Sequence, residues 1–198
     1  MNARETAVVG LAVGTLVSGG AYAVTYTHAG VQNPIPYAVF ALAVGAFSLW
    51  PDTDMVGTTA NTVFGEVSNR LARWTVVPLM GGHRWRSHDI LAGPFILGGG
   101  LWLAGQHWLT AALACVWSTG LLMAALGRVL GPVTAWLRAV GAVSIGLAVY
   151  GAGWSPGWPL AAAAAGSLGV VVHIGTDLGG YLPRPGASWR SWRRPRRY

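Results

Sequence analysis

Apolar residues occur in six long blocks, and this feature restricts the folds open to the chain more than any other. The blocks cover residues 6–25, 36–50, 90–104, 107–127, 132–151 and 158–176. Several are 19 to 21 residues long, close to the ~20 residues that a helix needs to cross a bilayer. Only 10% of the 198 residues are charged, whereas a soluble domain has roughly 25%. The sequence therefore predicts an all-α membrane protein, a polytopic bundle of about six apolar helices.

A polar stretch at 51–89 separates the second and third blocks, which are short. Within it, residues 62–77 have the spacing of one amphipathic helix at the membrane interface. One side of that helix would carry Val63, Val67, Leu71 and Trp74. We expect a membrane-embedded domain over residues 1–180 and a cytoplasmic tail, rich in Arg, Trp and Pro, over residues 181–198.

The arginines predict the orientation of the bundle. All 13 basic residues are Arg, and six spans place twelve of them on one side of the membrane. The opposite loops, 26–35, 105–106 and 152–157, contain no Arg. By the positive-inside rule the Arg-bearing side is cytoplasmic. We therefore expect a multi-pass protein of a bacterial inner membrane with both termini in the cytoplasm.

Three short polar islands border the apolar blocks, and this topology puts all of them at the cytoplasmic boundary. They contain all four Asp and three of the five His: Asp52 and Asp54 of WPDTD, His83, His88 and Asp89 of GGHRWRSHDI, and His173 and Asp177 of VVVHIGTDLGG. Imidazole nitrogen and carboxylate oxygen suit zinc and other divalent first-row metals. The groups exceed what one tetrahedral ion needs, so a site for two or more ions is compatible with them.

Each island also has a simpler interpretation. A His-x₃-Asp pair on a helix is commonly a hydrogen-bonded couple, and PDTD is commonly a turn or a helix N-cap. The HRWRSHD segment would serve equally as an interfacial loop. Ionisable groups are costly in membrane segments and usually functional, and three islands on one side favour a metal site.

In order along the chain, PDTD at 51–54, HRWRSH at 83–88 and HIGTD at 173–177 resemble the motifs of a known family. It comprises the LexA-regulated, membrane-bound, metal-dependent hydrolases (the YdjM-like group). The resemblance covers roughly residues 5–180. The family is distantly similar to all-helical zinc-dependent phospholipases C and single-strand-specific zinc nucleases, which implies phosphoester hydrolysis. Two departures are an N-terminal helix without the family's His and Asp89 where the family has Ser.

These observations together predict a metal-dependent hydrolase that acts on a phospholipid headgroup at the cytoplasmic face. Its ligands for zinc, or for another divalent metal, would be Asp52, Asp54, His83, His88, His173 and Asp177. Asp89 is the candidate general base or additional ligand, and Arg84 is the candidate phosphate clamp. The alternative is a non-enzymatic membrane protein with a structural or degenerate metal site, which the two departures favour. A transporter is a weaker alternative, because the ionisable groups lie at helix ends rather than at mid-bilayer.

Other polar residues have simpler assignments. His28 and His107 fall in the loops on the opposite side, so we expect neither to bind the metal. The tail arginines would bind anionic lipid rather than nucleic acid. Cys115 lies in an apolar run and is interpreted as a small core residue.

Overall fold

The chain folds into helices throughout the part that the structure describes. The computed structural model describes residues 3–30, 33–54, 58–75, 77–78, 89–130, 134–153 and 158–180. Within these ranges there is no β-strand, which confirms the predicted all-α class. The seven α-helices are α1 (Ala3–Ala29), α2 (Ile35–Phe47), α3 (Glu66–Trp74), α4 (Ala92–Ala104), α5 (Trp108–Leu130), α6 (Ala135–Gly153) and α7 (Trp158–Gly180). A 3₁₀ helix, Trp50–Asp54, follows α2. The tail at 181–198 lies outside the described residues.

Three of the helices are long and apolar enough to cross a membrane. Their candidate spans are Thr6–His28, Trp108–Gly127 and Trp158–Asp177. The described apolar segments of the other helices are shorter: Ile35–Phe47, Ala92–Ala104, and Trp136–Leu147 within α6. Thirteen helical residues rise only about 20 Å, less than the ~30 Å hydrocarbon core of a bilayer. The prediction of six spanning helices is therefore not confirmed.

Helices α2 and α7 lie at the centre of the bundle. Helix α1 packs on α2, α4 packs on α7, and α5 packs on α6. Helix α7 also contacts α1, α2 and the 3₁₀ helix. Small residues allow the central helices to approach closely. A Cβ atom on Gly169 of α7 would lie 2.8 Å from the carbonyl carbon of Phe47, so this contact requires glycine.

The best-buried part of the core lies where α2 ends. The largest fully buried side chains are Leu49, Leu121, Val44, Val63, Val170, Pro51 and Ser48. They come from the end of α2, the residues that follow it and the helices packed around it. Elsewhere the helices expose large apolar side chains, such as Leu16 at 76% and Leu160 at 70%. Such a surface suits a lipid environment, because a soluble monomer rarely exposes large contiguous apolar patches.

The amphipathic helix is shorter than the sequence predicts. The expected range was 62–77, whereas α3 covers Glu66–Trp74 and is preceded by turns. Gly65, with φ of +70°, adopts the left-handed conformation that glycine favours and so ends the turns before α3. Val63 is therefore not on the α3 face but is buried against Gly120. The remaining predicted apolar residues of α3 are exposed: Val67, Leu71 and Trp74.

Candidate functional site

Two of the three polar islands meet at the buried end of the bundle. Asp52 lies on the 3₁₀ helix after α2, while His173 and Asp177 lie one turn apart on α7. His173 Nε2 is 3.7 Å from Asp52 Oδ1 and 3.8 Å from Asp177 Oδ2. The imidazole is buried, whereas the carboxylates are partly exposed, at 28% for Asp52 and 18% for Asp177. Asp52 and Asp177, which are 125 residues apart in sequence, are thus placed around one imidazole nitrogen.

The backbone of α2 fixes the orientation of the His173 ring. His173 Nδ1 lies 2.7 Å from the carbonyl oxygen of Ser48. A carbonyl oxygen can only accept a hydrogen bond, so Nδ1 carries a proton and donates it. In the neutral ring the lone pair is then on Nε2, which faces the two carboxylates. This is the arrangement by which a backbone carbonyl orients a metal-binding histidine.

Two carboxylate oxygens lie close to Nε2 of His173. In the neutral ring the Nε2 lone pair faces two carboxylate oxygens, an arrangement that a cation bound at this nitrogen would stabilise. Donor atoms that bind one tetrahedral zinc ion at about 2.1 Å lie about 3.4 Å apart, a few tenths of an ångström less than the spacing seen here. Among the described residues, no group of three or more His, Cys, Asp or Glu is arranged to hold a metal ion as it stands. The donor atoms are of chemically suitable types, but those of the described residues are not all within ligand distance of one metal position.

Hydrogen bonds from the following turns hold the 3₁₀ helix in place. Thr58 Oγ1 donates to the carbonyl oxygen of Asp52 at 2.7 Å, and Asn61 Nδ2 donates to that of Thr53 at 2.9 Å. Ser68 Oγ of α3 donates in turn to the carbonyl oxygen of Asn61. These residues are not among the site residues predicted from the sequence. The run TTANT at 58–62 is a usable signal, because Thr and Asn side chains readily bond to nearby backbone.

Ser48 joins three helices at the site. Its hydroxyl donates to the carbonyl oxygen of Gly45 at 2.7 Å and lies 3.3 Å from that of Thr6 in α1. Its own carbonyl oxygen accepts from His173 on α7. Ser48 was also missed, and one serine at the end of an apolar block offers no sequence signal for this role.

The other predicted ligands cannot be placed. Asp54 lies in the 3₁₀ helix, but its side chain is outside the described part of the structure. His83, Arg84 and His88 of the second island lie outside the described residues. Their expected roles stay predictions.

Asp89, the last residue of the second island, forms the turn that begins α4. Its Oδ1 accepts hydrogen bonds from the backbone N–H groups of Ala92 at 2.8 Å and Leu91 at 2.9 Å. These two hydrogen bonds, that from Ala92 first, lower the pKa of the Asp89 carboxyl below its usual 3.8. Both bonds use one carboxylate oxygen, so this contact is compatible with a second role for the side chain.

We expect Asp89→Ala to destabilise α4 by about 1 kcal/mol, the usual cost of losing an N-terminal cap, and Asp89→Asn to cost much less. Because the folded-state pKa of Asp89 is lowered, the ionised cap stabilises the protein above the unfolded pKa. That contribution is lost as the pH falls through the folded pKa. Unfolding in detergent at pH 7 and below pH 4 would measure both effects. Equal stability of the Ala variant and the wild type at pH 7 would contradict the cap.

His28 and His107 lie at the opposite end of the bundle. His28 is at the end of α1, 22 residues and therefore about 33 Å beyond Thr6, whose carbonyl oxygen is beside Ser48. His107 precedes α5 and stacks against Trp108. The neighbouring Gly105 packs on Pro159 at the start of α7, 14 residues or about 21 Å before His173. Neither imidazole is therefore near the site, in keeping with the expectation from topology.

The described site offers one oriented imidazole and two carboxylates, a set able to share a proton or to bind a divalent cation. No protein-family model, curated protein or solved structure matches the chain. The chemistry of these residues and their place in an apolar bundle are what support a function.

Proposed function

We propose that the chain is a membrane-bound, metal-dependent hydrolase that cleaves a phosphoester of phospholipid headgroups. The observation that carries the proposal is the orientation of His173. Its Nδ1 donates to the Ser48 carbonyl oxygen, and its Nε2 faces the carboxylates of Asp52 and Asp177. A histidine that binds a metal through Nε2 needs this tautomer.

In this proposal Asp52, His173 and Asp177 bind a divalent metal, most suitably zinc, and Asp54, His83 and His88 complete a site for one or more ions. When bound, such a metal polarises a phosphoryl oxygen and lowers the pKa of a bound water. The chain's own residues supply the alignment: Ser48 orients the imidazole, while Thr58 and the turns after it hold the backbone of Asp52. The carboxylate oxygens 3.7 and 3.8 Å from Nε2 would be the oxygen donors to such a metal.

The location of the site within a bilayer supports a lipid substrate. His173 and Asp177 lie in the last turns of the candidate span Trp158–Asp177, at the depth where headgroups meet hydrocarbon. Orientation by the arginines puts this end in the cytoplasm, with the protein multi-pass in a bacterial inner membrane. Arg84 would then clamp the substrate phosphate, and the second oxygen of Asp89 would accept a proton from water.

Metal content is the direct test of the proposal. We expect the purified full-length protein to contain at least one zinc or other transition metal per chain. Asp52→Asn and Asp177→Asn should each weaken metal affinity about tenfold or more, the scale of losing a site residue. His107→Gln, at the far end of the bundle, is the matched control and should retain the metal. Elemental analysis after dialysis at graded chelator concentrations measures this.

Substoichiometric metal that is the same in all variants would overturn the proposal. The second candidate, a non-enzymatic membrane protein, is favoured by the contacts of 3.7 and 3.8 Å, because a protonated His173 would tie α7 to the 3₁₀ helix as a purely structural cluster. In that case the two Asn variants would lose stability without any change in metal content. Release of headgroup phosphate from phosphatidylglycerol vesicles, sensitive to Asp52→Asn, distinguishes the hydrolase from a non-enzymatic protein, whether or not that protein binds a metal.

A further inference from the structure

An apolar groove on the bundle surface adjoins a second cleft beside the 3₁₀ helix, which is also mainly apolar but has a few polar side chains in its lining. The groove, of about 450 Å³, lies between α4 and α5 and is lined by Leu97, Gly100 and Leu113 among other residues. The cleft, of about 260 Å³, lies under α3. Trp50 and Trp117 line both, so the two spaces adjoin along these rings. Together they resemble a ligand site of mainly apolar lining with a few polar groups.

In the second cleft, one threonine hydroxyl has no hydrogen-bond partner among the described residues. Thr53 lines the cleft, is only 4% exposed, and its Oγ1 has no hydrogen bond within the part of the chain that the structure describes. A buried polar group without a hydrogen bond is costly. Asn61 and Ser68 line the same cleft. Thr53 is thus suited to bond a polar ligand group directly beside Asp52.

The surroundings identify the chemistry of the ligand. The groove extends along α4 from Ile96 to Ala104, a rise of about 12 Å. The large apolar side chains around it are exposed, with Phe95 at 80%, Leu103 at 63% and Leu113 at 59%. In a bilayer such a surface faces hydrocarbon, and the groove therefore opens to acyl chains.

The charged residues of α3 indicate which class of lipid headgroup would bind beside it. Helix α3 forms one wall of the cleft and contains two arginines but one acid. Arg70 is paired with Glu66 at 3.1 Å. Arg73, the residue after the cleft-lining Ala72, leaves α3 with one net positive charge beside the cleft, which favours an anionic lipid.

We propose that this groove and cleft bind one anionic phospholipid, with an acyl chain along α4 and the phosphate end beside Thr53. The proposal rests on the membrane placement in the proposed function but not on hydrolysis. The bound lipid lies against the 3₁₀ helix that carries Asp52, which makes an anionic phospholipid the substrate class of the candidate site.

Photolabelling of the full-length protein in nanodiscs tests the proposal. The probe is phosphatidylglycerol with a diazirine near the end of one acyl chain, and labelled peptides are mapped by mass spectrometry. Labels should fall on α4 and α5. Gly100→Leu should lower their yield at least about fourfold, the factor for displacing one buried methylene group. Gly99→Leu is the matched control: a Cβ atom has open space at both positions, but Gly99 does not line the groove.

The headgroup is tested in the same way. Phosphatidylglycerol should label more strongly than a matched phosphatidylcholine probe, and Arg73→Gln should reduce that preference. Equal labelling of the two glycine variants, labels away from α4 and α5, or equal labelling by both lipids would overturn the proposal. Labelling needs no turnover, so it can succeed where the metal test fails. Conversely, retained metal with equal labelling refutes this lipid site alone.

Discussion

Replacing His173 by asparagine is expected to abolish metal binding and hydrolysis while the helical bundle stays folded. The amide nitrogen of Asn, like Nδ1 of His, is bonded to Cγ, so it can still donate to the Ser48 carbonyl oxygen that lies 2.7 Å from Nδ1. Asn has no atom in the place of Nε2, which faces Asp52 and Asp177. The substitution therefore removes the proposed ligand and keeps the contact that holds α7 to the end of α2.

Alanine at the same position provides the contrast. His173→Ala also leaves the Ser48 carbonyl oxygen without its donor, and an unsatisfied buried acceptor costs about 1–3 kcal/mol. We expect His173→Ala to unfold in detergent at lower denaturant concentration than His173→Asn, with both variants devoid of metal. Retention of metal at the wild-type level by the Asn variant would refute the ligand role. Equal stability of the two variants would refute the Ser48 contact.

How far the sequence predicts the site depends on the kind of signal. The encounter of Asp52 with His173 and Asp177 follows from topology, because helices that end on the same side bring their terminal residues together. Ser48 could not be found in this way, since its role depends on one backbone carbonyl oxygen meeting an imidazole from a helix 125 residues away. A hydrogen bond between a backbone carbonyl and a distant side chain produces no periodic pattern in the sequence.

In the fold, too, some features follow from a repeating sequence pattern and others do not. The apolar blocks correspond to helices because their composition alone requires burial or lipid. The predicted bounds of α3 were wrong because Val63 and Val67 fit one 3.6-residue helical period. Gly65 lies between them, and its positive φ prevents a regular helix from continuing through that residue. The second and third blocks, already short in the sequence at 15 residues, form helices of 13 residues each, since apolar composition continues beyond the last helical residue of α2 and begins before the first of α4.

The contact between α7 and α2 is expected to be sensitive to any enlargement of Gly169. A Cβ atom on Gly169 would lie 2.8 Å from the carbonyl carbon of Phe47 and 2.9 Å from the backbone nitrogen of Ser48. Backbone atoms cannot move aside as a side chain can, so a larger residue must separate the helices. Overpacking of a core usually costs about 1–3 kcal/mol and occasionally more. We expect Gly169→Leu to destabilise the protein by at least about 3 kcal/mol, at the upper end of that range.

The same separation would move Ser48 away from His173, one turn further along α7. Gly169→Ala, the milder change, should therefore lower metal affinity together with stability, although it alters no predicted ligand. Gly175→Leu is the matched control on the same helix, because a Cβ atom there meets nothing within 4 Å. Denaturant unfolding in detergent, followed by circular dichroism, and metal content of the same samples measure both effects. If Gly169→Ala and Gly175→Leu unfold alike and retain equal metal, close α2–α7 packing does not hold the His173 ring in place.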